Sequence, residues 1–201
     1  MSQPIDFYFD FSSPYGYFAS TRIDQLAAQY GRPVKWHPLL LGVVFKSTGS
    51  APLTTIPLKG EYALHDLERS ARFHGIAYRR PESFPLSTQL AARAMLWIEE
   101  TQGEAKAVEF AKAVFHAYFV DGANIAEPDA IGPLASAAGL QVAAVIEGAN
   151  STQVKERLRS GIEAAMARGV FGSPFILVDE EPFWGFDRFD QLEAFLKNGK
   201  I

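Results

Sequence analysis

Residues 5–11 read Ile5-Asp6-Phe7-Tyr8-Phe9-Asp10-Phe11, an apolar and aromatic run whose late polar interruption is Asp10. Such a run predicts a short strand buried on both faces. It ends in Ser12-Ser13-Pro14. Beyond it Tyr17, Ile23, Leu26 and Ala27 recur at helical spacing, predicting a helix over about 14–30 that stops near Gly31-Arg32-Pro33. Pro14 suits the first helical position and the preceding serine hydroxyl suits a cap. Val34-Lys35-Trp36-His37-Pro38-Leu39 then alternates and predicts a second strand, parallel to the first through a right-handed crossover.

Residues 42–58 are rich in Gly, Ser, Thr and Pro and predict a long loop. From Lys59 to about Gly169 the pattern is helical. One helix carries Leu64, Leu67, Ala71 and Phe73 and ends at Gly75; a second runs from Leu90 to Ile98. A third carries Val108, Phe110, Ala111, Val114, Phe115 and Tyr118. Pro128, after Glu127, opens a fourth that Gly139 ends, and a short helix spans about 140–148. Asn150 or Ser151 then caps a longer one to about Arg168. No strand is expected between 85 and 165. Strand character returns at Phe175-Ile176-Leu177-Val178, turns at Asp179-Glu180-Glu181, and returns as Pro182-Phe183-Trp184. A last helix begins at Asp187 with Phe189, Leu192, Phe195 and Leu196 inward. The order is strand, helix, strand, helical insertion, hairpin, helix: an α/β chain.

Composition narrows the chemistry. The 201 residues, 48% hydrophobic, suit one domain or one domain with a large insertion. A net charge of −4 with no basic tract argues against nucleic acid. No apolar run approaches the roughly 20 residues of a membrane span. The N-terminus has no basic region followed by an apolar core, so the expected location is cytoplasmic. There is no cysteine, which excludes dithiol redox chemistry, a cysteine nucleophile and thiolate metal sites within the chain. Any thiol must come from outside. His37, His65, His74 and His116 form no metal-ligand pattern, and no glycine-rich nucleotide loop or Gly-x-Ser-x-Gly elbow is present.

Ser13 therefore has two readings. It caps the helix, or it stands with the helix N-terminus as an anion site. Nothing in the local sequence activates it as a nucleophile. The stretch Phe7-Tyr8-Phe9-Asp10-Phe11-Ser12-Ser13-Pro14-Tyr15 resembles the start of DsbA-type thioredoxin-like proteins, nearest to the 2-hydroxychromene-2-carboxylate isomerases and the kappa-class glutathione transferases. Disulfide oxidoreductases of that superfamily carry Cys-x-x-Cys where this chain has Ser13-Pro14-Tyr15-Gly16. Two further stretches carry the resemblance. Phe183-Trp184-Gly185-Phe186-Asp187-Arg188 is similar to a Trp/Phe-Gly-x-Asp-Arg motif. Pro57-Leu58-Lys59-Gly60-Glu61-Tyr62 with Asp66-Leu67 is similar to Pro-x-Lys-x-x-Tyr-x-x-x-Asp-Leu.

The resemblance implies a thioredoxin-like domain built from residues 1–58 and 166–201, with an all-α helical domain, 59–165, inserted. It implies a cis bond at Ser173-Pro174 facing Ser13, where the families usually carry an aliphatic residue at position 173. It implies glutathione as cofactor. Ser13 would polarise the sulfur, lowering the thiol pKa. The main chain of Ser173, before Pro174, would pair with the cysteinyl unit. Asp187 would accept the γ-glutamyl ammonium, or serve only as a helix cap. Lys59 would hold the glycyl carboxylate, or be an ordinary solvated lysine. Lys46 and Ser50 lie in the matching upstream loop, and Phe186 is left a main-chain contact.

The implied activity is glutathione-dependent isomerisation of 2-hydroxychromene-2-carboxylate to trans-o-hydroxybenzylidenepyruvate, by reversible thiolate addition, rotation and elimination. Lys46, Arg79 and Arg80 are candidates to face the aromatic carboxylate substrate; the two arginines also read as solvated. Phe84, Trp97, Phe115, Tyr118 and Phe119 are candidate aromatic walls, or plain core. The family suggests a homodimer. A kappa-type transferase acting on electrophiles is the alternative. A binding module without catalysis is a third, against which Ser13, Lys59 and Asp187 together argue.

Overall fold

A computed structural model describes residues 3–201. Its sheet has four strands in the order β2-β1-β3-β4, formed by β1 (Ile5–Phe9), β2 (Val34–Pro38), β3 (Phe175–Val178) and β4 (Glu181–Trp184). β1 pairs in parallel with β2, Phe7 opposite Trp36, and antiparallel with β3, Phe7 opposite Ile176. As the central strand it buries Phe7 and Phe9 on opposite sides of the sequence alternation from Tyr8, which is also buried. Each such aromatic contributes roughly 1.5–3 kcal/mol of burial. Asp179 and Glu180, both at positive φ, make the two-residue turn between β3 and β4.

The predicted first helix is two. α1 (Pro14–Ser20) and α2 (Ile23–Gln29) are separated at Thr21-Arg22. The hydroxyls of Ser20 and Thr21 donate to the carbonyls of Tyr17 (2.6 Å) and Phe18 (2.7 Å), taking over backbone acceptors that a continuing helix needs. The predicted loop 42–58 is also corrected. It holds α3 (Leu41–Thr48), closed by Gly49 in the left-handed conformation, and a short 3-10 turn at Leu53–Thr55.

Helices α4 (Lys59–His74), α5 (Gln89–Gln102), α6 (Glu104–His116), α7 (Pro128–Ala137), α8 (Val142–Asn150) and α9 (Thr152–Ala167) follow. Ser151, not Asn150, caps α9, accepting from the Val154 amide. No strand lies between 85 and 165 among the described residues. Residues 75–88 are irregular rather than helical: Pro81 and Pro85 lack amide donors, and the Phe84-Pro85 bond is cis. A π-turn over Ala117–Asp121 extends α6. The helices dock on the sheet through Phe115, whose ring meets Phe9, Phe11 and Tyr17 within 5.0–5.9 Å, in one continuous core. α10 (Phe189–Asn198) closes the chain.

Candidate active site at the turn after β1

The strand β1 delivers its last residues straight into a crowded turn. Ser13 adopts extended backbone, its hydroxyl accepts from the Gly16 amide at 3.0 Å, and it caps α1 as the sequence predicts. The same hydroxyl donates to the Ser173 carbonyl at 2.9 Å. The Ser173-Pro174 bond is cis, and Ser173 does face Ser13. One expectation needs correction. The Ser173 carbonyl is not free, because the Ser13 hydroxyl, 94% buried (6% exposed), spends its proton on it. The Ser173 amide has no partner among the described residues.

Ser173 is held a second way: the Asp10 amide donates to its Oγ at 2.9 Å. Gly16 makes room for this. A Cβ at position 16 would stand 2.7 Å from Ser173 Oγ and 3.2 Å from Ser13 Oγ, so the two hydroxyls converge on the space that a side chain there would fill.

Asp10 is the residue the sequence signalled without revealing its part. Its buried carboxylate accepts from the Ser12 amide (2.8 Å) and the Thr88 hydroxyl (2.8 Å) at Oδ1, and from the Leu41 amide (2.6 Å) at Oδ2. Burial pushes the carboxyl above its ordinary range while these three bonds pull it back. One side chain thus joins β1, the turn, α3 and the start of α5. The irregular stretch is strapped down as well. The Leu86 amide donates to Ser12 Oγ at 3.2 Å, and the Tyr118 hydroxyl donates to the Ser83 carbonyl at 2.7 Å. Burial pushes the Tyr118 phenol up to about 12, so it remains a donor. The π-turn sets Tyr118 in place. The aromatic-wall reading is mostly corrected: Phe115, Tyr118 and Phe119 are core, Trp97 is half-buried over Gly148 of α8, and Phe84 is half-buried in the irregular stretch 75–88.

Tyr15 donates to Asp66 of α4 at 2.6 Å. Its phenol is raised by burial first, then by the Asp66 bond, with the Asp66 and Asp187 charges adding. Asp66 is lowered: burial opposes, but the bonds from Tyr15 and Arg69 win. Asp187 therefore lies on the Tyr15 side of the turn. It is not a helix cap. A 3-10 turn spans Phe186–Arg188, α10 begins at Phe189, and Asp187 is 74% exposed with Arg188 at 3.6 Å. Its Oδ1 lies where a Cβ of Gly185 would be, 2.4 Å from it, and Gly185 has a φ of 109°. The Phe186 ring is core, against Phe18, His74 and Phe189, which takes its side chain out of reach of a ligand.

Lys59 is the first residue of α4, exposed, with no ion-pair partner among the described residues. A cation there opposes the helix dipole, which leaves it open to an anion. Lys46 and Ser50 are exposed at the end of α3, and Ser50 Oγ accepts from the Thr48 hydroxyl at 3.0 Å. No hydrogen bond joins Lys46, Ser50 or Lys59 to Ser13; α3 is tied to the turn through Asp10 and α4 through Asp66. Arg79 and Arg80 are exposed and line a cavity of about 330 Å³ with Glu68, Arg72 and Tyr78. Among the described residues no group of three His, Asp or Glu is placed to hold a metal, and no helix is long and apolar enough to cross a membrane.

A family model described as a DsbA-like thioredoxin domain matches residues 4–197. A 2-hydroxychromene-2-carboxylate isomerase of Sphingobium xenophagum is 30% identical over 98% of this chain and 99% of its own. A kappa 2 glutathione S-transferase of Caenorhabditis elegans is 24% identical over 96% of this chain and 91% of its own. A solved 2-hydroxychromene-2-carboxylate isomerase superposes with a TM-score of 0.85 at 27% identity, covering 96% of this chain and 94% of that one.

Proposed function

The chain belongs to the DsbA-like thioredoxin domain family, and we propose that it is a glutathione-dependent isomerase of the 2-hydroxychromene-2-carboxylate type. The observation that carries this is the Ser13–Ser173 pair: a hydroxyl on a buried residue facing the bend that leads into β3, whose Ser173 amide has no partner among the described residues, in a chain without cysteine. Glutathione fits the groups present. Ser173 offers its amide to the cysteinyl main chain, and its carbonyl once the ligand's amide displaces the Ser13 hydroxyl from it. Lys59 is an unpaired cation for the glycyl carboxylate, and exposed Asp187 accepts the γ-glutamyl ammonium beside the Phe186 main chain. Lys46 and Ser50 flank the site from α3. Bound glutathione supplies a thiolate that adds reversibly to a conjugated carbon.

The residues of this chain do the rest. Ser13 holds its hydroxyl proton on the Ser173 carbonyl until the ligand's amide takes that carbonyl over, then donates it to the sulfur and favours the anion. Asp10 fixes the turn that positions the Ser13 side chain, leaving only its hydroxyl to rotate. The strap 83–88, pinned by Ser12, Thr88 and Tyr118, borders the space beside Ser13 and presents Phe84 to an aromatic carboxylate substrate. Residues 1–58 and 166–201 form the glutathione-holding domain and 59–165 the inserted helical one. We place the protein in the cytoplasm as a homodimer, with neither nucleic acid nor membrane as partner.

The test is an absorbance assay on the chromene acid, with glutathione omitted or supplied in trace amounts while free thiol is counted. Conversion that requires glutathione and leaves the thiol count unchanged supports the isomerase. Consumption of thiol in step with substrate indicates a kappa-type transferase, the relation represented by the Caenorhabditis elegans protein. Conversion indifferent to glutathione overturns the reading.

A further inference from the structure

Ser173 carries a side chain that the main-chain role does not need. Its hydroxyl oxygen is fixed by the Asp10 amide at 2.9 Å, yet its own proton has no acceptor among the described residues. The residue is half-buried, where an unused donor costs free energy until something accepts from it. A hydroxyl that already accepts a hydrogen bond is polarised into a better donor. Its position is equally specific. Ser173 Oγ and Ser13 Oγ lie 2.7 and 3.2 Å from one point, the missing Cβ of Gly16. Ser13 has its proton committed to the Ser173 carbonyl, so the hydroxyl of Ser173 is the donor with nothing to release.

We propose that the Ser173 hydroxyl is a second direct donor to the cofactor sulfur, and that Gly16 is there because any side chain at that position would displace it. This rests on the glutathione reading above and names a contact that reading does not require. The sulfur is held between two hydroxyls of different history. Ser173 donates at once. Ser13 joins when the ligand's own amide proton takes over the Ser173 carbonyl and frees the Ser13 hydroxyl to turn. An aliphatic residue at position 173 offers the main-chain contacts alone.

The experiment is an ultraviolet titration of the thiolate of glutathione bound to the full-length protein, with affinity measured by calorimetry on the same samples. Ser173→Ala is expected to raise the bound thiol pKa by about one unit, the lower range for a lost hydrogen bond to a charge, and to keep most of the affinity. Ser173→Thr, which restores the hydroxyl, is expected to titrate like the wild type, and Ser173→Val like Ser173→Ala. Gly16→Ala reaches the same hydroxyl from the other side. Because its methyl would also stand 3.2 Å from Ser13 Oγ, it is expected to raise the bound thiol pKa at least as far as Ser173→Ala does. An unmoved titration in Ser173→Ala with glutathione bound overturns the second donor and leaves the main-chain reading standing. A wild-type protein that binds no glutathione, or binds it with an unshifted thiol, overturns the glutathione reading and this contact with it.

Discussion

Asp10→Asn tests the joint that positions the turn. The carboxylate of Asp10 receives three donors, two at Oδ1 from the Ser12 amide and Thr88 hydroxyl, and one at Oδ2 from the Leu41 amide. An asparagine has one acceptor oxygen and one NH2 group. Placed with its oxygen at Oδ1, it keeps Ser12 and Thr88 but sets NH2 against the Leu41 amide. Placed the other way, it keeps Leu41, sets NH2 against the Ser12 amide and makes the Thr88 hydroxyl turn from donor to acceptor. The better choice leaves one buried donor facing another, at a cost of about 1–3 kcal/mol. Relief of the buried charge offsets part of this, since burial already works against the ionised form. The net expectation is a loss of about 1–2 kcal/mol. For a chain of this size that lowers the melting temperature by roughly 2–4 °C per kcal/mol. The assay is urea unfolding followed by circular dichroism, with Asp10→Ala as companion. The alanine strands all three donors and is expected to cost more than the asparagine. An asparagine variant as stable as the wild type, or an alanine variant no worse than the asparagine, refutes the joint.

Asp187→Asn is expected to weaken glutathione binding by roughly 1–3 kcal/mol, the range for a lost charged hydrogen bond, while leaving the unfolding midpoint unchanged, because Asp187 caps no helix. Calorimetry and denaturant unfolding on one sample decide it, and a lowered midpoint with intact affinity contradicts it. Tyr15→Phe is expected to cost stability near neutral pH but progressively less in acid. Asp66 has a folded pKa below its unfolded one. The stabilisation from its Tyr15 and Arg69 bonds is therefore present above the unfolded value, near 4, and is lost as pH falls through the folded value. A Tyr15→Phe penalty constant from pH 7 down through that window contradicts the assignment.

What the sequence disclosed followed the range of the interactions. β1 and β2 were legible because a buried aromatic run and a short alternating strand advertise themselves locally, and the α7 start at Pro128 and the Ser151 cap obey equally local rules. The break after Ser20 was not, because back-bonding hydroxyls look like ordinary helix-surface residues in a periodicity count. α3 was hidden for a different reason: its first amide is held by Asp10, which lies 31 positions earlier. The last helix starts at Phe189 rather than at Asp187, which removes the capping alternative for Asp187, because the chain turns at Gly185 into a 3-10 turn first. In the site itself, Ser13 and the Ser173-Pro174 bond were legible through motif and order. The hydroxyl of Ser173 became meaningful only when Gly16 was seen beneath it. Asp10 was visible as a polar break in an aromatic strand, a signal that marked a buried, fully bonded carboxylate.

Ser13 either holds a thiolate or caps a helix end alone, and one titration separates the two. Glutathione bound to the wild type and to Ser13→Ala is titrated by its thiolate absorbance, with a melting curve taken on each. Loss of the cap alone costs about 0.5–2 kcal/mol of stability and leaves the thiol unaffected. The wild-type bound thiol is expected to ionise well below the ordinary value of about 8.5, and the Ser13→Ala complex to bind glutathione still but to ionise clearly nearer that value, the Ser173 hydroxyl keeping the remainder of the shift. Equal titration curves for the two complexes, with only the melting temperature lowered, would contradict it and leave Ser13 a cap.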